Sequence, residues 1–213
     1  MVSEMCIRDR DVHEVKFSKR AGSYTTLREL MDEVGVDVTR WFFQMRKPEG
    51  HLVFDLDMAL DQSDKNPVYK VQYAHARMHS IFAKGGVDPA SLSVDGVDLS
   101  LLDHELERDL LQRLADFPEL LDRAAQLRAP HLVCDWLEQL AGAVNAWYHA
   151  GNPSRNPGLA VLTGDGNLRD ARLLLCRGVQ IVIRNGLAVL GVTAPERMDR
   201  DPGESGTPQP VHS

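Results

Sequence analysis

The sequence has no CxxC pair and no even set of cysteines. Its three, Cys6, Cys134 and Cys176, stand far apart. That excludes a disulfide framework and fits a reducing compartment. No apolar run reaches the length of a membrane span. Residues 1–10 lack the apolar stretch and cleavage site of a secretory leader. Positive charge is outnumbered as well, with 24 Lys and Arg against 31 Asp and Glu. The net charge is −7, which excludes binding of nucleic acid through bulk attraction and leaves a local patch or a shaped loop. What is present is apolar material, 43% of 213 residues, enough for one helical domain with a full core and a small lead-in.

Residues 1–10 show neither a helical nor a strand period. They resemble a translated sequencing-adapter remnant and are set apart from the fold, with natural sequence expected upstream of Asp11. Residues 11–17 read as a short extended lead-in. Thr26 and Glu29 form a capping box for a helix over 26–34, which Gly35 stops. Asp37 is placed to cap a second helix over 38–45, with Trp41, Phe42 and Met45 on its apolar side. Leu52, Phe54 and Leu56 alternate with polar residues, a strand-like pattern.

From residue 57 onward the pattern is helical. Helices are expected over 57–65, over 67–84 with Pro67 either kinking the preceding helix or sitting in the first turn of this one, over 100–115 with Ser100 as cap, over 118–128 and over 130–150. Residues 151–166 are rich in Gly, Pro and Asn and read as a loop. An apolar helix follows over 168–184; Asn185-Gly186 breaks it, and 187–190 continues the core. Residues 199–213 have the composition of a disordered tail. The expected fold class is all-α.

Three groups of residues could carry chemistry. Lys16, Ser18, Lys19 and Arg20, followed by Ala21-Gly22, put cations and a hydroxyl on one turn, which suits a polyphosphate; a solvated basic turn is the plain alternative. Tyr69, Tyr73 and Arg77, four apart, share one face of the 67–84 helix. Two rings and a guanidinium in line suit unstacked bases and a phosphate, or else pack on a neighbouring helix. Trp147 and Tyr148 close the helix before the Gly/Pro-rich loop, where they stack on bases or plug a helix end. On the last helix, Arg169, Arg172, Arg177 and Arg184 share a polar arc with Gln180, either as phosphate contacts or as a solvated face. His75 reads as a hydrogen-bonded core histidine. His79 lies four residues on, but no glutamate or thiolate completes a zinc site, so no metal is expected.

The first of these groups resembles the KMSKS signature of class I aminoacyl-tRNA synthetases, with Phe17 where methionine is usual. The order of motifs is similar to arginyl-tRNA synthetases in particular. Phe17-Ser18-Lys19-Arg20-Ala21-Gly22 is followed by Arg40-Trp41-Phe42-Phe43-Gln44-Met45-Arg46 and by Phe54-Asp55-Leu56-Asp57. Val71-Gln72-Tyr73-Ala74-His75-Ala76-Arg77 comes next, and then Arg184-Asn185-Gly186-Leu187-Ala188 and Ala194-Pro195-Glu196-Arg197-Met198.

The resemblance covers about residues 12–198 and implies a layout. Residues 11–56 would be the signature loop and helical connector of the catalytic domain, and 57–198 a helical-bundle anticodon-binding domain of the DALR type. It implies that Lys19 bears most of the phosphate role and that the 67–84 helix, with Gln72, faces the anticodon stem and loop. Tyr148 and Met198 are likewise implied to lie near the anticodon.

The parent would be a cytoplasmic, monomeric, ATP- and Mg2+-dependent arginine–tRNA ligase, with arginine, ATP and tRNA(Arg) as partners and no membrane. No HIGH-like motif occurs, so this chain alone is expected to be inactive and to hold no cofactor. Without the catalytic half, Trp41 and Phe43 are expected to lie exposed. The competing reading is a stand-alone helical module that binds RNA or protein.

Overall fold

The computed structural model describes residues 5–8, 14–16, 26–47, 50, 52–154 and 156–198. Residues 17–20 of the signature loop and the 199–213 tail lie outside them. Among the described residues, helices dominate, as the all-α reading requires. Four long ones form a bundle: α4 (Pro67–Gly85), α5 (Glu105–Leu127), α6 (His131–Ala150) and α7 (Gly166–Leu190). Three short ones precede them: α1 (Leu27–Val34), α2 (Val36–Gln44) and α3 (Leu56–Leu60). A small sheet lies at the amino-terminal end. Strand β1 (Met5–Arg8) pairs antiparallel with β2 (Glu14–Lys16) and parallel with β3 (Leu52–Asp55). The segment set apart in the sequence therefore joins a sheet, although it carries no side-chain period; backbone hydrogen bonds alone can make such a pairing.

Local chemistry starts the helices. Thr26 accepts from the Glu29 N–H, and Glu29 reaches back to the Thr26 N–H at 2.6 Å. Asn66 accepts from the N–H groups of Val68 and Tyr69, and Pro67 occupies the first turn. Gly86, in a left-handed conformation at φ 62°, ends α4. Other starts differ from the expectation. Asp37 does not cap α2; Gly35 stands there, and the Asp37 carboxylate binds elsewhere. Helix α3 is five residues long instead of nine. His104, not Ser100, caps α5: its ring accepts from the Leu106 N–H at 3.2 Å.

Two expected breaks are absent. Helix α5 runs through Pro118 without stopping. The Phe117 ring packs on Trp136 at 5.1 Å, and Leu110 and Ala124 are buried on either side. Packing holds both halves in line against a proline's cost of ~3 kcal/mol. Helix α7 likewise runs through Asn185-Gly186. Gly186 lies against Leu137 of α6, and a Cβ there would come within 2.8 Å of the leucine Cδ2. The glycine is a close-approach point between helices, not a stop. Gly186→Ala is expected to lower stability by about 1–3 kcal/mol through overpacking, read from the midpoint of urea unfolding. An unchanged midpoint would mean that the α6–α7 contact is looser than this.

The core runs between α4, α5, α6 and α7 and extends to the small helices. Trp41 is not exposed: it is 1% accessible, and the Phe42 ring packs tilted on Phe54 at 5.0 Å. Phe43 is exposed, at 37%. By length and composition α7 could cross a membrane, but half of its most apolar window is buried in the bundle. Cys134 and Cys176 are free and buried, and burial pushes the Cys134 thiol up to about 12. At neutral pH it behaves as a small apolar side chain.

Candidate functional site

Helix α4 is the centre of the site. Its Tyr69 and Tyr73 rings stack, with centroids 5.8 Å apart and planes 8° from parallel. The Arg77 guanidinium lies 4.7 Å from the Tyr73 centroid and 4.2 Å from that of Tyr148 on α6. Four side chains thus form one column, Tyr69–Tyr73–Arg77–Tyr148, that crosses from α4 to α6. Spacing of four along α4 lines up the first three; only the helix packing brings Tyr148 to the end.

Arg77 is not free to meet a phosphate. It is buried at 7% accessibility, and its Nη1 donates to Asn145 Oδ1 at 2.6 Å. Held between two rings, it works as a spacer that fixes them. Asn145 was not singled out in the sequence. The available signal was an asparagine inside a helix one turn before Tyr148, where a poor helix former needs another reason to be there.

The column has a recess at each end. Beside Tyr69 a groove of about 410 Å³ is lined by Asn66, Gln72 and Met198. Beside Tyr148 a pocket of about 210 Å³ is lined by Lys84, Trp147, Asn152 and residues 159–162. Trp147 belongs to the core. It is 1% accessible and cannot lie flat on an incoming base without leaving the bundle, so it drops out of the ring set.

Gln72 is also spent inside the protein. Its Nε2 donates to Asp37 Oδ2 at 2.9 Å and to the Thr193 carbonyl at 3.0 Å. The same Asp37 oxygen accepts from the Thr193 N–H and from its hydroxyl. These bonds lay the segment 192–198, and with it Met198, along α4.

The arginines of α7 separate. Arg177 and Arg184 flank the α4 histidines: Arg177 donates to Gln180 Oε1, and Gln180 Nε2 meets His79 Nε2. His75 is the core histidine expected, with its Nδ1 2.9 Å from the Pro195 carbonyl. Burial holds the imidazoles of His75 and His79 below the usual histidine range, and Arg184 adds to this by repulsion. Arg169 is exposed and paired with Asp170; no contact joins it to the column. Arg172 leaves the polar arc altogether. It is buried in an ion pair with Glu107 at 2.6 Å. Among the described residues no three His, Cys, Asp or Glu side chains gather as metal ligands. Of the signature loop only Lys16 falls within a described element, as part of the β2 backbone.

Residues 71–198 match the family model of the DALR anticodon binding domain. The chain is 47% identical over 189 residues to the arginine–tRNA ligase of Bordetella petrii, covering 89% of this chain and 32% of that protein. It is 48% identical over 193 residues to the arginine–tRNA ligase of Geobacter metallireducens, with the same shares. The chain therefore spans about a third of the length of these curated relatives. Its fold superposes on the Thermus thermophilus arginyl-tRNA synthetase with a TM-score of 0.66 and 34% identity, covering 84% of this chain and 29% of that one.

Proposed function

The chain belongs to the family of DALR anticodon binding domains, and from that premise we propose that it is the part of an arginine–tRNA ligase that reads the anticodon of tRNA(Arg). The ring column carries this reading. A base stacks on any π-face at about 1–3 kcal/mol whatever its identity, so the half-buried rings at the ends of the column, Tyr69 and Tyr148, supply affinity. The recesses there supply shape and hydrogen-bonding groups, among them Asn152 and Lys84 at one end and Asn66 at the other. Met198 closes the Tyr69 end. With a net charge of −7, phosphate contacts fall to local cations, for which Arg169, Arg177 and Arg184 on α7 are the candidates.

Lys16, Ser18, Lys19 and Arg20 are proposed as the phosphate-binding loop of the parent enzyme. ATP and Mg2+ would supply activation of arginine there. Among the described residues no three His, Cys, Asp or Glu side chains gather as metal ligands, and no step of that reaction is assigned to them. The proposed setting is the cytoplasm, with the parent as a monomer. The chain alone is expected not to aminoacylate.

A fluorescence-anisotropy titration tests the reading. An RNA stem-loop with an arginine anticodon should bind more tightly than the same hairpin with an unrelated anticodon. Tyr69→Ala and Tyr148→Ala should each weaken the cognate complex by roughly 1–3 kcal/mol. Equal affinity for both hairpins, or wild-type affinity in both variants, would return the chain to the alternative of a helical module with another partner.

A further inference from the structure

The carboxylate of Asp37 on α2 stands where three segments meet. Its Oδ2 accepts from Gln72 Nε2 of α4 at 2.9 Å, from the Thr193 N–H at 3.2 Å and from the Thr193 hydroxyl. Gln72 gives its other amide hydrogen to the Thr193 carbonyl at 3.0 Å. Thr193 is thus bound at its N–H, its hydroxyl and its carbonyl. Gln44 lies seven residues beyond Asp37, two helical turns on, and so shares its face of α2. It donates to the Leu190 carbonyl at 2.8 Å. Helix α2 therefore holds the chain on both sides of Gly191, where α7 ends in a left-handed turn at φ 68°.

From Thr193 the chain runs to Met198, and between them the Pro195 carbonyl lies 2.9 Å from His75 Nδ1. Met198 is one wall of the groove beside Tyr69. Further walls come from Glu33 and Val34 of α1 and from Val38 of α2, the residue next to Asp37. The helix that lines the groove also fixes the segment that closes it. Asp37 lies outside residues 71–198, which match the family model, and outside the ring column. We infer that Asp37 is a positioning residue for RNA: through Thr193 it sets Met198 as a wall of the groove beside Tyr69, which makes α2 part of the reading surface. The RNA part of this rests on the function proposed above.

Charge gives the inference a sign of its own. The chain carries a net charge of −7. A carboxylate that merely faced RNA would repel phosphate, and its removal would tighten the complex. A carboxylate that places Met198 has the opposite effect: its removal weakens the complex.

Methyl NMR on the 213-residue chain with labelled methionine reads the position without RNA. In Asp37→Ala the Met198 methyl signal should move towards that of a solvated methionine, while that of Met78, fully buried in the core, holds. A hairpin titration reads the consequence. Asp37→Ala should weaken the arginine-anticodon complex roughly fivefold, and on a Met198→Ala background it should change affinity by less than about twofold. Thr193→Ala removes one donor to the same carboxylate and leaves α2 intact. It should show the same pattern at smaller size, and it decides the matter if Asp37→Ala disturbs Met78. An unmoved Met198 signal, a tightened complex, or losses that multiply in the double variant would overturn the inference. A wild-type chain without preference for the arginine anticodon would instead overturn the proposed function, and the methyl signal alone would then decide whether Asp37 places Met198.

Discussion

Glu107→Ala will cost about 3–5 kcal/mol of folding stability, because it leaves a buried guanidinium without its counter-charge. The Glu107 and Arg172 side chains are 0% and 4% accessible, and Arg172 Nε lies 2.6 Å from Glu107 Oε1. Each partner does a second job. The other Glu107 oxygen accepts from the His104 N–H that starts α5. Arg172 Nη1 donates to the carbonyls of Gly158 and Ala160 at 2.8 and 2.9 Å. One ion pair therefore fastens the start of α5 and the 157–160 turn to α7. The measurement is urea unfolding followed by circular dichroism. A loss under about 1 kcal/mol, typical of exposed pairs, would show that water reaches the site. Adding Arg172→Met to Glu107→Ala should recover part of the loss, since no buried charge then remains. The carbonyls of Gly158 and Ala160 would still lack a donor, so recovery should be incomplete.

Arg77→Ala should damage both stability and the proposed RNA affinity. The guanidinium makes two desolvated cation–π contacts, each on the order of 2 kcal/mol, and its loss leaves Asn145 Oδ1 without the donor at 2.6 Å. A loss of roughly 2–4 kcal/mol in stability is expected, because neither ring of the α4–α6 joint keeps its spacer. Binding of the arginine-anticodon hairpin should fall at least as far as in Tyr148→Ala, although Arg77 itself touches no RNA in this account. Arg77→Lys should not restore it, since an ammonium cannot lie flat between two rings and donate sideways to Asn145 at once. The checks are a thermal melt and the same anisotropy titration. A variant with wild-type melting and affinity would mean that the rings are held by something other than Arg77.

The column and the partners that hold it and its neighbours were unequally legible. Helical spacing alone placed Tyr69, Tyr73 and Arg77 on one face, because a helix returns a side chain to the same side every four residues. It left open whether the rings meet bases or protein. The packed arrangement shows the contact with protein: Tyr73 and Tyr148 grip Arg77, and both rings stay only partly buried. Asn145, Gln180 and Glu107 were not legible as partners of Arg77, His79 and Arg172. Each lies at least 65 residues from the group it binds, and no local pattern encodes such a distance.

Two punctuation marks were misread for the same reason. Pro118 and Gly186 are signals of a helix end when only neighbours in sequence are counted. Phe117 on Trp136 and Leu137 against Gly186 override them once α5, α6 and α7 lie side by side.

The residue order by itself determined that helices would dominate, where most of them lie, and which family the chain resembles. These depend on periodicity, caps and motif order, all interactions within a few residues. Tertiary packing alone decided that Trp147 and Arg172 turn inward, that Arg77 is a spacer and not a phosphate contact, and that the segment 192–198 lies against His75. Burial and long-range hydrogen bonding assign those roles, and both arise only when distant segments are brought within a few ångströms of each other.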